Sequence, residues 1–276
     1  MKVWVNGELI DQDDSQVGAF DHGLTVGDGV FETIAVRGGR PLAVTRHLAR
    51  LERSAVALGL PAPDTTALRT AVDEVSAAGE VADAVVRVVY TSGSGPLGSD
   101  RGDGRPTAAV LLGSAPERPP STDVVTVPWP RNERGALVGV KTTSYAENVL
   151  ALAEARRRSA TEAIFANTAG NLCEGSGSNV FLVLEGQLLT PPLSAGCLAG
   201  VTRALIVERC GLEVAERDVP VSALAEAEEA FLTSATRNVQ AIRRVDERPL
   251  PACPGPLTAS ASTAYTRLQE TDPDPT

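Results

Sequence analysis

The sequence predicts a protein of mixed α+β and α/β character, built as two domains. Short alternating or β-branched stretches bounded by glycines recur along the 276 residues. Stretches with apolar residues at helical spacing fall between them. Near the middle, Ser114-Ala115-Pro116-Glu117-Arg118-Pro119-Pro120 interrupts the pattern with three prolines in seven residues, a composition suited to a linker. The expected division is a smaller N-terminal α/β domain over 1–113, a linker over 114–121 and a larger C-terminal domain over 122–276. A chain of this length can bury a core in each.

In the first half, residues 3–5 and 9–10 flank Asn6-Gly7-Glu8 and predict a β-hairpin with a tight primed turn. A glycine-rich stretch from Phe20 to Gly29 leads into an alternating strand over 30–37, which Gly38-Gly39 turns back toward 41–44. Its Gly23, Gly27 and Gly29 offer either a phosphate cradle or an ordinary loop. Thr45 is the expected N-cap of a helix reaching Gly59, striped by Leu48, Leu51, Ala55 and Leu58. His47 and Arg50 share one face of it and, taken alone, read as surface or capping groups. A second helix is expected from Asp64 or Thr65 to Ala78. The β-branched run 84–91 predicts a buried strand, with Arg87 in its middle needing an anion, either a structural partner or a substrate carboxylate. The glycine-rich loop 93–106 has a length common among functional loops, and a strand follows over 107–112.

In the second half, strands are expected over 124–127 and 137–141, the latter ending on Lys141, with Ser144 capping a helix over 145–158. Strands 162–167, 180–184 and 188–190 follow, the last two joined through Glu185-Gly186. Gly200-Val201-Thr202-Arg203 opens a helix whose first amides make an anion site. A short acidic helix over 222–229, a strand over 230–235, a helix over 258–269 and a frayed end complete the expectation.

Composition narrows the function. The chain is 43% apolar and 22% charged, ordinary for a soluble globular protein. A net charge of -10 argues against nucleic-acid or anionic-membrane surfaces. Cys173, Cys197, Cys210 and Cys253 form no Cys-x-x-Cys pair, which fits reduced thiols in a cytoplasm. Two histidines are too few for a histidine-rich metal site, so no metal is expected. No signal-peptide-like start and no apolar run near ~20 residues are present.

The chain has 25 Lys+Arg, of which only Lys2 and Lys141 are lysines. Arginine replaces lysine as a charge, but not as an amine that loses its proton and attacks a carbonyl carbon. Lys141 is therefore a candidate reactive amine. A Schiff-base lysine needs an aldehyde, and pyridoxal 5′-phosphate (PLP) is the common one; it also asks for an acid at its ring nitrogen and a phosphate cradle. Glu174, Arg50, the 200–202 helix start and the hydroxyl-rich 233–236 segment are candidates for those parts.

These segments resemble the fold-type IV, or class IV aminotransferase, PLP enzymes. The likeness runs from Val3 to Val245. It is carried by Gly27-Asp28-Gly29-Val30-Phe31-Glu32-Thr33, by His47-Leu48-Ala49-Arg50-Leu51, and by Lys141 with Asn148-Val149-Leu150-Ala151. Glu174-Gly175-Ser176-Gly177-Ser178-Asn179-Val180-Phe181 and Gly200-Val201-Thr202-Arg203 complete it, in the family's order. The resemblance implies a two-domain D-amino acid aminotransferase-like fold with the cofactor on the C-terminal domain. Lys141 would be the Schiff-base lysine and Glu174 the partner of the pyridine nitrogen. Arg50, the amides of Val201 and Thr202, and Ser234, Ala235 and Thr236 would hold the phosphate, with Ser176 and Gly177 also at the cofactor. Phe31, Arg87 and Arg101 would contact a small amine or amino-acid substrate, in a homodimer whose partner loop closes the pocket.

Within that family, Tyr145-Ala146-Glu147-Asn148-Val149-Leu150 looks closer to the lyase and D-amino acid branches than to the branched-chain branch. The whole-chain pattern leans toward 4-amino-4-deoxychorismate lyase, which forms 4-aminobenzoate and pyruvate for folate synthesis. The alternative is a transaminase of branched-chain L-amino acids or of D-amino acids. Ser144 replaces the Asn often found three residues after the lyases' lysine, and the 93–101 loop has Arg101 without the histidine of D-amino acid enzymes. A nucleotide-binding module is a remote alternative, since no Gly-Lys-Ser/Thr ending follows either glycine cluster.

Overall fold

The computed structural model describes residues 2–79 and 81–276. They form a mixed α/β, two-domain fold whose first compact unit contains the chain up to Pro116, Val140–Tyr145 and Asp272–Thr276. The second contains Glu117–Gly139 and Ala146–Thr271. Lys141 and the end of the chain therefore belong to the first unit, two returns that a single cut at the prolines does not foresee.

The first unit is built from β1 (Lys2–Val5), β2 (Glu8–Asp11), α1 (His22–Thr25), β3 (Gly29–Arg37), β4 (Arg40–Pro41), α2 (Val44–Ala57), α3 (Thr65–Ala78), β5 (Ala84–Thr91) and β6 (Thr107–Ser114). Its sheet runs β2-β1-β6-β5-β3-β4, and every pairing is antiparallel. Asn6 and Gly7 at positive φ make the β1–β2 turn as expected. Side chains alternate across a strand. Val30, Ile34 and Val36 of β3 thus share a core with Val86 and Val88 of β5 and the apolar stripes of α2 and α3.

The same alternation corrects the reading of β5. It is not buried on both faces: Val86, Val88 and Tyr90 point into the core, while Arg87 lies exposed on the opposite face. A one-residue alternation, hidden by a run of valines, lets the arginine be there without a buried counter-ion.

The start of α2 also differs from expectation. Its N-cap is Ala43, held left-handed at φ 52°, with no capping side chain of its own. The cap comes from the segment expected to fray. Asp274 accepts from the Thr45 amide (2.8 Å) and the Thr45 hydroxyl (2.7 Å), and the Pro273 carbonyl accepts from the Ala43 amide at 2.7 Å. Left-handed backbone at a non-glycine residue costs roughly 1–2 kcal/mol, and these bonds offset it.

The second unit is built from β7 (Ser121–Thr126), α4 (Ala146–Arg157), β8 (Glu162–Ala166), β9 (Leu172–Gly175), β10 (Asn179–Leu184), β11 (Gln187–Thr190), α5 (Val201–Arg209), β12 (Val214–Glu216), β13 (Glu229–Ser234), β14 (Asn238–Val245), β15 (Arg248–Pro249) and α6 (Pro256–Thr271). Its sheet runs β12-β11-β10-β13-β14-β7-β8-β9, with β15 on β14. β7 is parallel to both β14 and β8. Its core is lined by Val124, Ile164, Leu172, Leu182, Leu232 and Ile242. Strand β14 was not anticipated, because Arg243 and Arg244 break its alternation; both find a counter-charge in Asp123 of β7. The acidic helix expected over 222–229 is a 3-10 turn, Val221–Glu226. Among the described residues no helix is long and apolar enough to cross a membrane.

Candidate active site

Lys141 does not end a strand. It lies on an extended strap over β3: the Lys141 carbonyl accepts from the Phe31 amide at 3.0 Å, and Thr142 bridges Val30. The Ser54 hydroxyl of α2 accepts from the Lys141 amide at 3.2 Å. Three consecutive hydroxyls then bind the glycine stretch, Thr142 to the Gly29 carbonyl (3.0 Å) and Thr143 and Ser144 to the Gly27 carbonyl (2.9 Å each). Gly27 has φ +70°, and a Cβ there would come within 2.7 Å of the Ser144 hydroxyl. The glycines of this segment let the lysine strap approach the backbone, and the Ser144 hydroxyl is spent on that contact, not on capping α4.

The Lys141 amine stands 4.4 Å from the centroid of the Phe31 ring and 5.6 Å from that of Tyr145. Tyr145 meets Phe31 edge-on, with centroids 5.2 Å apart. The Arg87 guanidinium lies 4.3 Å from the same Phe31 centroid. One ring thus carries the lysine and an arginine, each within cation–π range.

Beneath this layer Glu32 is fully buried on the core side of β3. Arg50 donates to it through Nε and Nη2, both at 2.7 Å, and His47 Nδ1 lies 2.7 Å from its Oε2. Burial raises the Glu32 pKa, but the charge and hydrogen bonds of Arg50, with those of His47, outweigh it and hold the carboxyl well below the usual range. Burial pushes the His47 pKa down, against the pull of Glu32. His47 and Arg50 are therefore interior groups and not the surface or capping groups their helix face suggested.

Arg101 is committed elsewhere. Its Nε and Nη2 donate to Asp28 (2.7 Å each), and Nη1 and Nη2 also donate to the carbonyls of Gly59 and Leu58 at the end of α2 (2.8 Å each). These bonds pin the 93–106 loop to α2, so Arg101 does not stand with Arg87 on the Phe31 ring.

In the second unit, Glu174 sits on β9 and accepts from the Leu198 amide at 2.9 Å. Arg131, stacked 4.1 Å from the Phe165 ring centroid, approaches the other carboxylate oxygen at 3.4 Å. After Glu174 the chain turns through Ser176 and Gly177, and the Ser176 carbonyl accepts from Asn148 Nδ2 of α4 at 2.6 Å. Helix α5 starts at Val201 and Thr202 without a side-chain cap. A Cβ at Gly200 would fall 1.9 Å from Asn179 Oδ1, so no side chain fits at that start. Ser234, Ala235 and Thr236 form the β13–β14 turn, where the Ser234 hydroxyl accepts from the Arg237 amide at 3.1 Å and lies 3.2 Å from that of Thr236.

Within the first unit the structure brings Lys141, Phe31 and Arg87 together, with Arg50 on the helix that holds the lysine strap. Within the second it places Glu174 with Ser176 and Gly177 on one turn, Val201–Thr202 at a helix start without a side-chain cap, and Ser234–Thr236 on the β13–β14 turn. Sequence reasoning missed Glu32, Ser54, Arg131 and Tyr145 as parts of the site. Glu32 had a readable signal, since it shares the parity of Val30, Ile34 and Val36 and so must face the core. Arg131 had none, lying in irregular chain.

The family model described as amino-transferase class IV matches residues 29–245. A putative branched-chain-amino-acid aminotransferase of Methanocaldococcus jannaschii is 33% identical over 256 residues, spanning 90% of this chain and 89% of its own. A bifunctional aminodeoxychorismate lyase / D-amino acid transaminase of Mycobacterium tuberculosis is 30% identical, spanning 92% and 94%. A solved branched-chain aminotransferase of Thermoproteus uzoniensis with norvaline superposes with a TM-score of 0.92 at 29% identity, spanning 99% of this chain and 97% of its own.

Proposed function

The chain belongs to the class IV aminotransferase family, and from that premise we propose that it is a PLP-dependent aminotransferase acting on an L-amino acid with an apolar side chain. One observation carries the amino-acid part of this reading, the Lys141 amine and the Arg87 guanidinium sharing the Phe31 ring, each within 4.4 Å of its centroid. The choice of an apolar L-substrate is supported by the likeness to branched-chain aminotransferases. The shared ring supplies an amine for the α-carbon and a cation for the neighbouring carboxylate. The commitment of Arg101 to Asp28 argues against a second carboxylate reader from the 93–106 loop.

The donors present fit the cofactor of this family. When bound, PLP supplies an aldehyde that condenses with amines and a pyridinium ring that takes up electron density from the α-carbon. Lys141 would hold the aldehyde carbon and, once released, move the α-proton at its Nζ. Glu174, kept in place by the Leu198 amide and Arg131, would keep the ring nitrogen protonated. Arg50, the uncapped start of α5 at Val201 and Thr202, and the Ser234–Thr236 turn would receive the phosphate. Ser176 and Gly177 shape the turn beside Glu174. Phe31 and Tyr145 would exclude water from the lysine.

A second reading, formation of 4-aminobenzoate and pyruvate from 4-amino-4-deoxychorismate, is favoured by the 30% identity to the bifunctional Mycobacterium tuberculosis enzyme. The test is a product assay of purified protein with PLP. L-Leucine or L-valine with 2-oxoglutarate is expected to yield glutamate and the matching 2-oxo acid. Release of 4-aminobenzoate, with no 2-oxo acid formed from L- or D-amino acids, contradicts the aminotransferase reading and supports the lyase. A homodimer is part of the proposal; monomeric mass by light scattering at full activity contradicts it.

A further inference from the structure

We propose that Glu162, a buried carboxylate outside the roles assigned above, is a positioning residue that locks the acid-bearing turn and the hydroxyl turn of the second unit to one shared charge. The inference rests on the PLP reading of the preceding subsection.

Glu162 opens β8 and is 2% exposed. A carboxylate so buried is held only by compensating partners, and its partners lie on two separate turns. The Ser176 hydroxyl donates to its Oε1, and the Ser178 hydroxyl donates to its Oε2 at 2.9 Å. Both serines belong to the turn that follows Glu174. The Arg237 Nε stands 3.3 Å from the same Oε2. Arg237 closes the β13–β14 turn: its amide donates to the Ser234 hydroxyl, and its Nη2 donates to the Thr161 carbonyl at 2.8 Å. Its Nη1 donates to Gln240 of β14.

The glycine between the two sites is explained by the same carboxylate. A Cβ at Gly175 would lie 3.1 Å from both Cγ and Cδ of Glu162 and 2.5 Å from the Ser178 hydroxyl. The chain beside Glu174 is therefore shaped to seat the Glu162 side chain. Neutralising that carboxylate removes the counter-charge of Arg237 and frees the turn carrying Ser234, Ala235 and Thr236. On the other turn, one serine hydroxyl still has the amide oxygen to donate to and the second can accept from the amide nitrogen. The loss thus falls on the phosphate end of the ligand and not on the ring end.

The test compares PLP with pyridoxal, which lacks the phosphate, by direct titration of the purified protein. In Glu162→Gln the affinity for PLP is expected to fall at least 10-fold, while that for pyridoxal changes less than 3-fold. Arg237→Gln, with a side chain 20% exposed and less central to the fold, is expected to reproduce the phosphate-selective loss. The double variant is expected to be no weaker than the weaker single one, as coupled residues require. Equal losses for both vitamers, no loss for either, or additive losses in the double variant would overturn the inference. If wild-type protein binds neither vitamer, the PLP reading itself fails; if it binds both and the variants match it, this inference alone fails.

Discussion

Arg50 meets Glu32 through two parallel hydrogen bonds of 2.7 Å in the interior of the first unit, one turn of helix before the serine that holds the Lys141 strap. The pair fixes α2 against β3 and orients a guanidinium proposed to receive phosphate. Removing one member leaves the other buried without its counter-charge, which costs about 3–5 kcal/mol. Glu32→Gln is therefore expected to lose stability of that order in urea denaturation; a loss under ~1 kcal/mol would show that the pair is not desolvated as described.

The same cluster sets a pH dependence. Burial lowers the pKa of His47 in the folded protein, so the unfolded chain takes up a proton near pH ~6.5 that folded His47 refuses. Stability is fully present above that pH and is lost as pH falls toward the folded pKa of His47. His47→Gln is expected to flatten the stability profile just below pH ~6.5. A second decline, from Glu32, belongs below the ordinary carboxylate pKa of ~4.3, because its folded pKa is also depressed. An unchanged slope between about pH 6.5 and 5 in His47→Gln contradicts the assignment.

Asp274 caps a helix 229 residues away in sequence. Asp274→Asn, which weakens the cap and the 3.1 Å pair with Arg69, is expected to destabilise the first unit by about 0.5–2 kcal/mol. Hydrogen exchange at the first turn of α2 should rise in parallel; unchanged protection there would rule out the capping role.

Much of this was legible in the sequence. Two glycines and an Asn-Gly pair marked the hairpins, Asp64 marked the start of α3 and caps it by accepting from the Thr66 and Ala67 amides, and the lysine count singled out Lys141. What stayed hidden depended on long-range contacts. Lys141 read as a strand end and Ser144 as a helix cap because the partners of the strap from Thr142 to Ser144, the Gly27 and Gly29 carbonyls, lie over a hundred residues earlier. The valines of β5 masked the face on which Arg87 stands. Arg101 fitted a carboxylate reader by residue type, and only the fold shows its donors taken by Asp28.

Arg87 is proposed to read the substrate carboxylate. Arg87→Met keeps the contact with the Phe31 ring but removes the charge, and is expected to raise KM for L-leucine by about 10-fold or more with a smaller change in kcat. A change confined to kcat would place Arg87 outside the binding of the carboxylate.

The central claim is that Lys141 is the amine that carries the cofactor. The chain holds only one other lysine, Lys2, so covalent mapping is decisive. Protein loaded with PLP is reduced with borohydride, digested, and the pyridoxyl-bearing peptide identified by mass spectrometry. The account predicts a single modified peptide containing Lys141, lost in Lys141→Arg together with amino-transfer activity. A pyridoxyl group found only on Lys2, or no modified peptide from an active enzyme, would contradict it.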